Sequence, residues 1–441
     1  MKKTNIKYSL ILAILYCVSF INAQNILTQE EAVKLALENN YDIKIVNNTV
    51  ETAENNSNIL NSGYLPTLTG NAGGTYNLDN TEVDFSNGTS RVLNRAESSR
   101  YNASLNLSYT IFDGLGRRYN YKILKEKYKL SELQARETIE NTILQLFSVY
   151  YNVAQLSNNL SALEETLNIS KDRLVRAQYQ FDYGQNTKLG VLNAQVDIVK
   201  DSINIINAKQ QLKNGKRDLN LVLGDVLKNE FNVVTEVNFT LQFQKDSLFL
   251  KSKTRNTALL QTEKNIAVSK LGIKSGQSAY LPTIGLVGSY GWNKNNNNAA
   301  SFAAGSINTG LSASLNLSWN IFDGGATITR IRNAKVDLET QEFQKKNILL
   351  TITRDFNNIW DDYKNKLAIY TLQENNISTA QNNFDRTQEK FKIGQVNSIE
   401  FRQAQLNLLN AELNRNQAKY SAKLAELDLL QLSGELLNTS F

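Results

Sequence analysis

Ala103-Ser104-Leu105-Asn106-Leu107-Ser108-Tyr109-Thr110-Ile111-Phe112-Asp113-Gly114 reappears 210 positions later as Ala313-Ser314-Leu315-Asn316-Leu317-Ser318-Trp319-Asn320-Ile321-Phe322-Asp323-Gly324. In the first copy Ala103, Leu105, Leu107, Tyr109 and Ile111 alternate with Ser104, Asn106, Ser108, Thr110 and Phe112. In the second, Leu311, Ala313, Leu315, Leu317, Trp319 and Ile321 alternate with Ser312, Ser314, Asn316, Ser318 and Asn320. A period of two describes a strand with one apolar and one polar face. Beyond each Asp-Gly the period becomes helical, as in Phe356, Ile359, Tyr363, Leu367 and Tyr370. Leu406, Leu413, Tyr420 and Leu427 recur at heptad spacing, with Leu409 and Leu430 in the companion seam, which predicts coiled-coil packing.

The duplication extends outward from this phrase. Tyr64-Leu65-Pro66-Thr67-Leu68 recurs as Tyr280-Leu281-Pro282-Thr283-Ile284 at an offset of 216, and Pro66 and Pro282 are the only prolines in the chain. Phe181-Asp182-Tyr183-Gly184-Gln185 matches Phe391-Lys392-Ile393-Gly394-Gln395, Ala194-Gln195 matches Ala404-Gln405, and Gly224 matches Gly434, all at 210. Each proline ends a helical stretch and pushes its predecessor into extended backbone. Strands are therefore predicted at about 67–76 and 101–112, flanking a polar loop at about 77–100, and at about 283–292 and 310–322. Long helices follow at about 114–224 and 324–434; an unbroken helix from Gly114 to Phe181 would reach roughly 100 Å at 1.5 Å per residue. Asp113 and Asp323, each before a glycine (Gly114, Gly324), stand where a carboxylate can cap free helix amides.

Composition narrows the function. The 441 residues contain no histidine and one cysteine, Cys17, so imidazole catalysis and most catalytic zinc chemistry are excluded; no catalytic, cofactor-binding or metal site is expected. Residues 1–23 read as a signal peptide, with Lys2, Lys3 and Lys7 before the apolar stretch Leu10 to Ile21 and Ala23 at the cleavage point. An anchoring helix is the rival reading, although that stretch is short of the roughly 20 residues a span requires. Lipidation of Cys17 is disfavoured by the bulky Tyr16 before it. Cleavage removes three lysines, taking the net charge from +6 to +3 and leaving no cysteine. No basic stripe remains to bind nucleic acid.

Heptads alone would fit a simple four-helix bundle, and each strand alone would fit a small soluble sheet. The alternation, with Tyr109, Trp319, Tyr290 and Trp292 near strand ends, also fits lipid-facing barrel strands with interfacial aromatics. Four strands cannot close a barrel, and an open edge leaves backbone groups unpaired in hydrocarbon. Several chains would have to pool strands; three would supply twelve.

The duplicated order of helix, Tyr-Leu-Pro-Thr, strand, loop, strand, Phe-Asp-Gly, long helix, Phe-x-x-Gly-Gln and helix resembles the TolC family of outer-membrane efflux proteins over roughly residues 27 to 434. The resemblance implies a mixed α and β membrane protein. It would be a homotrimer with a twelve-stranded barrel in the outer membrane of a Gram-negative bacterium and a long antiparallel α-helical coiled-coil tunnel in the periplasm. It divides the chain into a first repeat at 24–225, an equatorial linker at 226–249 carrying Val237, Phe239, Leu241 and Phe243, and a second repeat at 250–441. It places Gly184, Gln185, Gly394 and Gln395 at periplasmic helix turns that dock an adaptor. Glu400 then matches the first acidic position of an entrance ring; Gln403 stands where a second acid is common, Val396 replaces a base, and Gly190 falls where an acid can occur. The implied role is the passive outer-membrane duct of a tripartite efflux or type I secretion system. Its implied partners are a periplasmic adaptor (membrane fusion protein) and an inner-membrane RND, ABC or MFS transporter. No Gly-x4-Gly-Lys-Ser/Thr phrase supplies a nucleotide site. A non-transport trimeric coiled-coil scaffold or adhesin is the alternative.

Overall fold

The computed structural model describes residues 26–185, 187–227, 231–239 and 243–439, so the predicted signal peptide, Cys17 and Leu241 lie outside the described residues. In order, the elements are β1 (Ile26–Leu27), α1 (Gln29–Asn39), α2 (Tyr41–Asn56), β2 (Thr67–Asp84), β3 (Ser90–Asp113), α3 (Gly116–Asp182) and α4 (Lys188–Val222). Then come β4 (Asn232–Val233), α5 (Lys245–Arg255), α6 (Thr257–Gln277), β5 (Thr283–Asn296), β6 (Gly305–Ser318), α7 (Ala326–Lys392) and α8 (Ser398–Leu432). Helices α3 and α7 each have 67 residues, and α4 and α8 each have 35. The described residues fall into two compact units. One holds 26–47, 134–260 and 348–439; the other holds 48–133 and 261–347.

The second unit contains an antiparallel sheet of order β2-β3-β5-β6. Thr67 pairs with Ser108 and Thr283 with Ser318, so both hairpins have the same register under the two sequence offsets. Cross-strand pairing gathers Leu68, Leu107, Ile284 and Leu317 on one face, and Thr69, Asn106, Ser289 and Ser312 on the other. Among the described residues no core covers the apolar face: Leu68, Leu105, Tyr290, Leu311, Leu315 and Leu317 are all exposed. Tyr101 and Tyr109 bracket this face on β3, eight residues or roughly 27 Å of strand apart, of the order of a tilted membrane crossing.

The strands differ from the sequence expectation at both ends. Where a polar loop was expected at about 77–100, β2 and β3 continue as a ladder to Asp84 and Ser90. Apolar alternation fades there, but backbone pairing requires no apolar side chains. A register shift between Asp79 and Thr81 is tied by Asn80 Oδ1 accepting from Arg95 N at 2.9 Å. In the second half β6 ends at Ser318, four residues before the expected 322. Tyr109 to Asp113 are held as strand by Leu286 to Thr283 of β5, whereas β6 is an edge, and Pro282 ends the only strand beside it. Trp319, Ile321 and Phe322 are left exposed.

In the helical unit Phe147, Tyr150, Tyr151, Leu219, Tyr420 and Leu427 build the main core. Leu409 and Leu430 are buried with them or nearby, while Leu406 and Leu413 are half-buried. Tyr150 fastens the short parallel pair β1–β4: its hydroxyl donates to Leu27 O at 2.7 Å and accepts from Val234 N at 3.0 Å. Burial pushes its pKa up to about 12, which keeps this donor protonated. The linker wraps onto α7, with Phe239 against Tyr370 and Phe243 against Tyr363 at ring separations of 5.4 and 5.8 Å. Phe356 and Tyr363 are buried beneath it.

Two asparagines turn the chain between paired short helices. Asn40 Nδ2 donates to Val222 O at 2.9 Å, and its Oδ1 accepts from Asp42 N and Ile43 N. Asn256 does the same with Leu432 O at 3.2 Å and with Ala258 N and Leu259 N. Beside each sits a glycine at positive φ, Gly224 at 82° and Gly434 at 69°. A β-carbon on either would lie 2.6 Å from a backbone oxygen, of Asn39 and Arg255 respectively. Gly184 and Gly394 also have positive φ but face open space. Thermal melting of the four Gly→Ala variants should rank them accordingly: Gly184→Ala and Gly394→Ala lose about 1–2 kcal/mol from backbone strain, and Gly224→Ala and Gly434→Ala lose more. Equal losses at all four would refute the steric argument.

Candidate functional site

The two long hairpins turn in the same way. After α3, Gln185 N donates to Gln180 O at 2.7 Å and Gly184 N to Phe181 O at 3.0 Å; after α7, Gln395 N donates to Lys390 O at 2.9 Å and Gly394 N to Phe391 O at 3.2 Å. This double closure needs the left-handed backbone that Gly184 and Gly394 supply at φ of 71° and 78°. Beyond the second turn Asn397 caps α8, accepting from Ile399 N and Glu400 N, both at 2.9 Å, while its own N donates to Glu400 Oε2 at 3.1 Å. Glu400 thus carries a capping bond as well as an exposed charge at the helix start. Gln403, also exposed, donates to Asn407 Oδ1 at 2.8 Å.

A recess of about 700 Å³ joins the two turns, lined by Gln185, Gly394, Gln395 and Glu400 of the expected site together with Gly190 and Val396. Gly184 and Gln403 are not in its lining. Phe401 closes the second hairpin from inside, stacked on Phe391 with centroids 4.7 Å apart.

Just inside the turns lies a buried charge network. Arg402, on α8, grips Asp201 of α4 with both ends of its guanidinium, at 2.6 Å to Oδ1 and 2.9 Å to Oδ2. It also donates to Gln405 Oε1 at 3.0 Å and to Ser170 Oγ at 3.1 Å, and Ser170 Oγ donates to Asp201 Oδ2 at 2.6 Å. Gln405 Nε2 reaches Thr166 O on α3 at 2.7 Å. Arg173 pairs with Asp197 and donates to Ser398 O at 3.5 Å. Arg402, Asp201, Arg173, Gln405 and Ser170 are all buried. Two arginines and two aspartates cancel in charge, and together they fasten the start of α8 to both helices of the first hairpin.

The junction residues sit in the other unit. Asp113 Oδ2 accepts from Arg117 N at 2.8 Å and from Arg117 Nε at 3.2 Å, and Arg117 reaches Gly63 O at 3.0 Å. Asp323 accepts from Gly325 N at 3.1 Å and from Thr327 N at 2.8 Å. Gly114 and Gly324 share a positive φ, yet a β-carbon on Gly114 would strike Ser278 O at 2.3 Å, while Gly324 faces open space. Pro66 and Pro282 stand immediately before β2 and β5. Among the described residues no helix is long and apolar enough to cross a membrane, and no group of three His, Cys, Asp or Glu side chains is placed to hold a metal.

The family profile described as outer membrane efflux protein matches residues 32–225 and 250–435. The chain belongs to the outer membrane efflux protein family. It is 22% identical over 409 residues to the outer membrane efflux protein BepC of Brucella suis biovar 1 (strain 1330), spanning 92% of this chain and 85% of BepC. It is 23% identical over 369 residues to the outer membrane protein TolC of Escherichia coli (strain K12), spanning 80% and 73%. Among solved structures, the Campylobacter jejuni CmeC outer membrane channel aligns with a TM-score of 0.76 at 20% identity over 92% of this chain and 86% of CmeC. The Neisseria gonorrhoeae MtrE channel, in its open state, gives 0.70 at 16% over 92% and 89%. This efflux protein is thus a TolC-family protein of the Gram-negative outer membrane.

Of this network in the efflux protein, the repeat marks Gln405 through Gln195 but not Arg402, Asp201 or Arg173. The duplication points to residues present in both halves, whereas the positions 210 away from Arg402, Asp201 and Arg173 hold Leu192, Ala411 and Asn383. The available signal was an arginine and a glutamine among Phe401, Ala404, Leu408 and Leu409, on the apolar face of α8. Removing one partner of a buried pair leaves a charge uncompensated, at about 3–5 kcal/mol. Arg402→Ala should therefore lower stability by about that amount, and Arg402→Met combined with Asp201→Leu should recover most of it in chemical denaturation. A double variant no more stable than the single one would contradict this.

Proposed function

We propose that three copies of this chain form a passive export duct, with their sheets closing a twelve-stranded barrel in the outer membrane and their helices enclosing a periplasmic tunnel. The observation that carries the proposal is a four-stranded sheet with one exposed apolar face and two open edges, β2 and β6, in a protein of the outer membrane. Lipid does not hydrogen-bond an open edge, so closure requires further copies. The matched helix lengths and hairpin registers support an internal duplication, with repeats at 24–225 and 250–441 and an equatorial linker at 226–249.

The turns at Gly184-Gln185 and Gly394-Gln395 are proposed as the adaptor-docking end, where their shared recess offers a shaped surface. Energy would come from an inner-membrane RND, ABC or MFS pump, because the chain carries no nucleotide-binding phrase. The network around Arg402 is proposed to hold the entrance closed, since swinging α8 away from α3 and α4 must break it. Three copies of Glu400 would add a ring of negative charge there.

Purified protein should migrate as a trimer from outer-membrane fractions and conduct ions in planar bilayers. Failure both to insert and to conduct would overturn the duct in favour of an envelope scaffold. Arg402→Ala should raise single-channel open probability, and unchanged gating would remove the network from the closure mechanism. Glu400→Gln should lower cation selectivity while leaving conductance measurable; unchanged selectivity would sink the ring.

A further inference from the structure

The two faces of the sheet sort its charges. Pairing places Lys294 opposite Tyr101 and Glu97 opposite Leu78, all on the apolar face toward the hairpin loops. On the polar face, the alternate pairs from Thr69·Asn106 to Asn77·Ser98 and from Gly285·Asn316 to Asn295·Ser306 carry one charged side chain, Arg100; the other positions there hold Thr, Ser, Asn and Gly, with Val287. Arg100 pairs with Thr75, eight residues or roughly 27 Å of strand from Thr67, where β2 begins. The next charge on this face is Asp79, four residues or roughly 13 Å of strand farther toward the loops.

Arg100 is braced against the wall. Its Nε donates to Asn295 Oδ1 at 3.0 Å, and Asn295 Nδ2 donates to Ser306 Oγ at 3.2 Å, so a line of side chains crosses β3, β5 and β6. Among the described residues no carboxylate pairs with it, and the residue is exposed. The duplication does not repeat it: its counterpart is Gly310, where a β-carbon would meet nothing within 4 Å. The charge therefore occurs once per chain on this part of the face.

Resting on the duct reading above, in which the polar face lines the lumen, we propose that three copies of Arg100 form a ring of positive charge near the outer mouth that selects for anionic solutes. Twelve strands spaced about 4.8 Å apart and tilted about 40° enclose a backbone radius of roughly 12 Å. A guanidinium reaching inward from that wall stands within about one Debye length of the axis at physiological salt, about 8 Å, so the potential of the ring spans the lumen. It raises the local concentration of anions and lowers that of cations, and arginine keeps its charge across the working pH range. The Glu400 ring proposed at the other end has the opposite sign. A solute would then meet a cation-favouring entrance and an anion-favouring exit.

Reversal potentials across planar bilayers in a KCl gradient test this. They are measured in the otherwise unsubstituted protein and again with Glu400→Gln, so that the entrance charge does not mask the exit. Arg100→Gln should lower the chloride-to-potassium permeability ratio by roughly twofold or more at about 0.15 M salt, and by less at 1 M, where the Debye length shrinks to about 3 Å. Arg100→Lys should keep the unsubstituted ratio although it gives up the Nε donor to Asn295, which separates the charge from a bracing role. An unchanged ratio after Arg100→Gln in both backgrounds, or equal shifts from Gln and Lys, overturns the ring, while the currents themselves leave the duct standing. If the unsubstituted protein carries no current, the duct reading fails and the ring fails with it.

Discussion

Every backbone N–H and C=O placed in hydrocarbon needs a partner, and this chain meets that demand for only part of its sheet. The inner strands β3 and β5 are paired on both sides; β2 and β6 are paired on one. Among the described residues the apolar face has no core of its own. In water such a sheet would be a liable edge and a large exposed patch. On the proposed barrel, lipid would cover the face, and the edges would be the reason for assembly.

Duplication supplies matched parts, and the structure keeps them matched where geometry is shared. Asn40 and Asn256 make the same bonds to Val222 and Leu432, with Gly224 and Gly434 beside them against Asn39 and Arg255. At such places the backbone approaches so closely that neither half tolerates a different residue without moving. Where the halves face different neighbours they diverge. Gly114 is packed against Ser278 while Gly324 is open, and the guanidinium of Arg402 answers an aspartate that its own half does not contain. The charge network joins unlike halves, and such a contact has no reason to be written twice.

That difference explains what could be read from the sequence. The repeat, the two-residue alternation and the glycine turns are local patterns, so the element order, the apolar face and the positions of Gly184 and Gly394 were legible. The strand ends were not. Hydrophobic alternation reports which face is apolar, whereas ladder length reports where partners lie, so residues 77–79, 81–84, 90–93 and 96–100 are paired in a largely polar stretch, and Trp319, Ile321 and Phe322 lie outside β6. Glu400 was legible as a charge near the turn, but its bond to the Asn397 amide depends on the cap geometry. Arg402, Asp197 and Asp201 were visible individually; that they meet depends on α8 packing against the α3–α4 hairpin, with Arg402 lying 201 residues from Asp201 in sequence.

The energetics of that meeting bear on why an ion network rather than an apolar seam lies beside the turns. A buried ion pair often stabilises no more than well-packed hydrophobic residues of the same size, because the charges give up their hydration. On the gating reading this is an advantage. If α8 moves away, Arg402 and Asp201 recover water, which offsets much of the lost attraction, and the two states stay close in free energy. Leu or Phe in the same places would lose their burial and gain nothing from solvent, so the closed state would be deeper and harder to leave. Phe384, Phe391 and Phe401 hold α7 to α8 by apolar contact, with Ile169 of α3 packed against the same cluster. Beside the turns the contact between hairpins is thus hydratable, whereas farther along the helices Tyr151 and Tyr420 join them by apolar stacking.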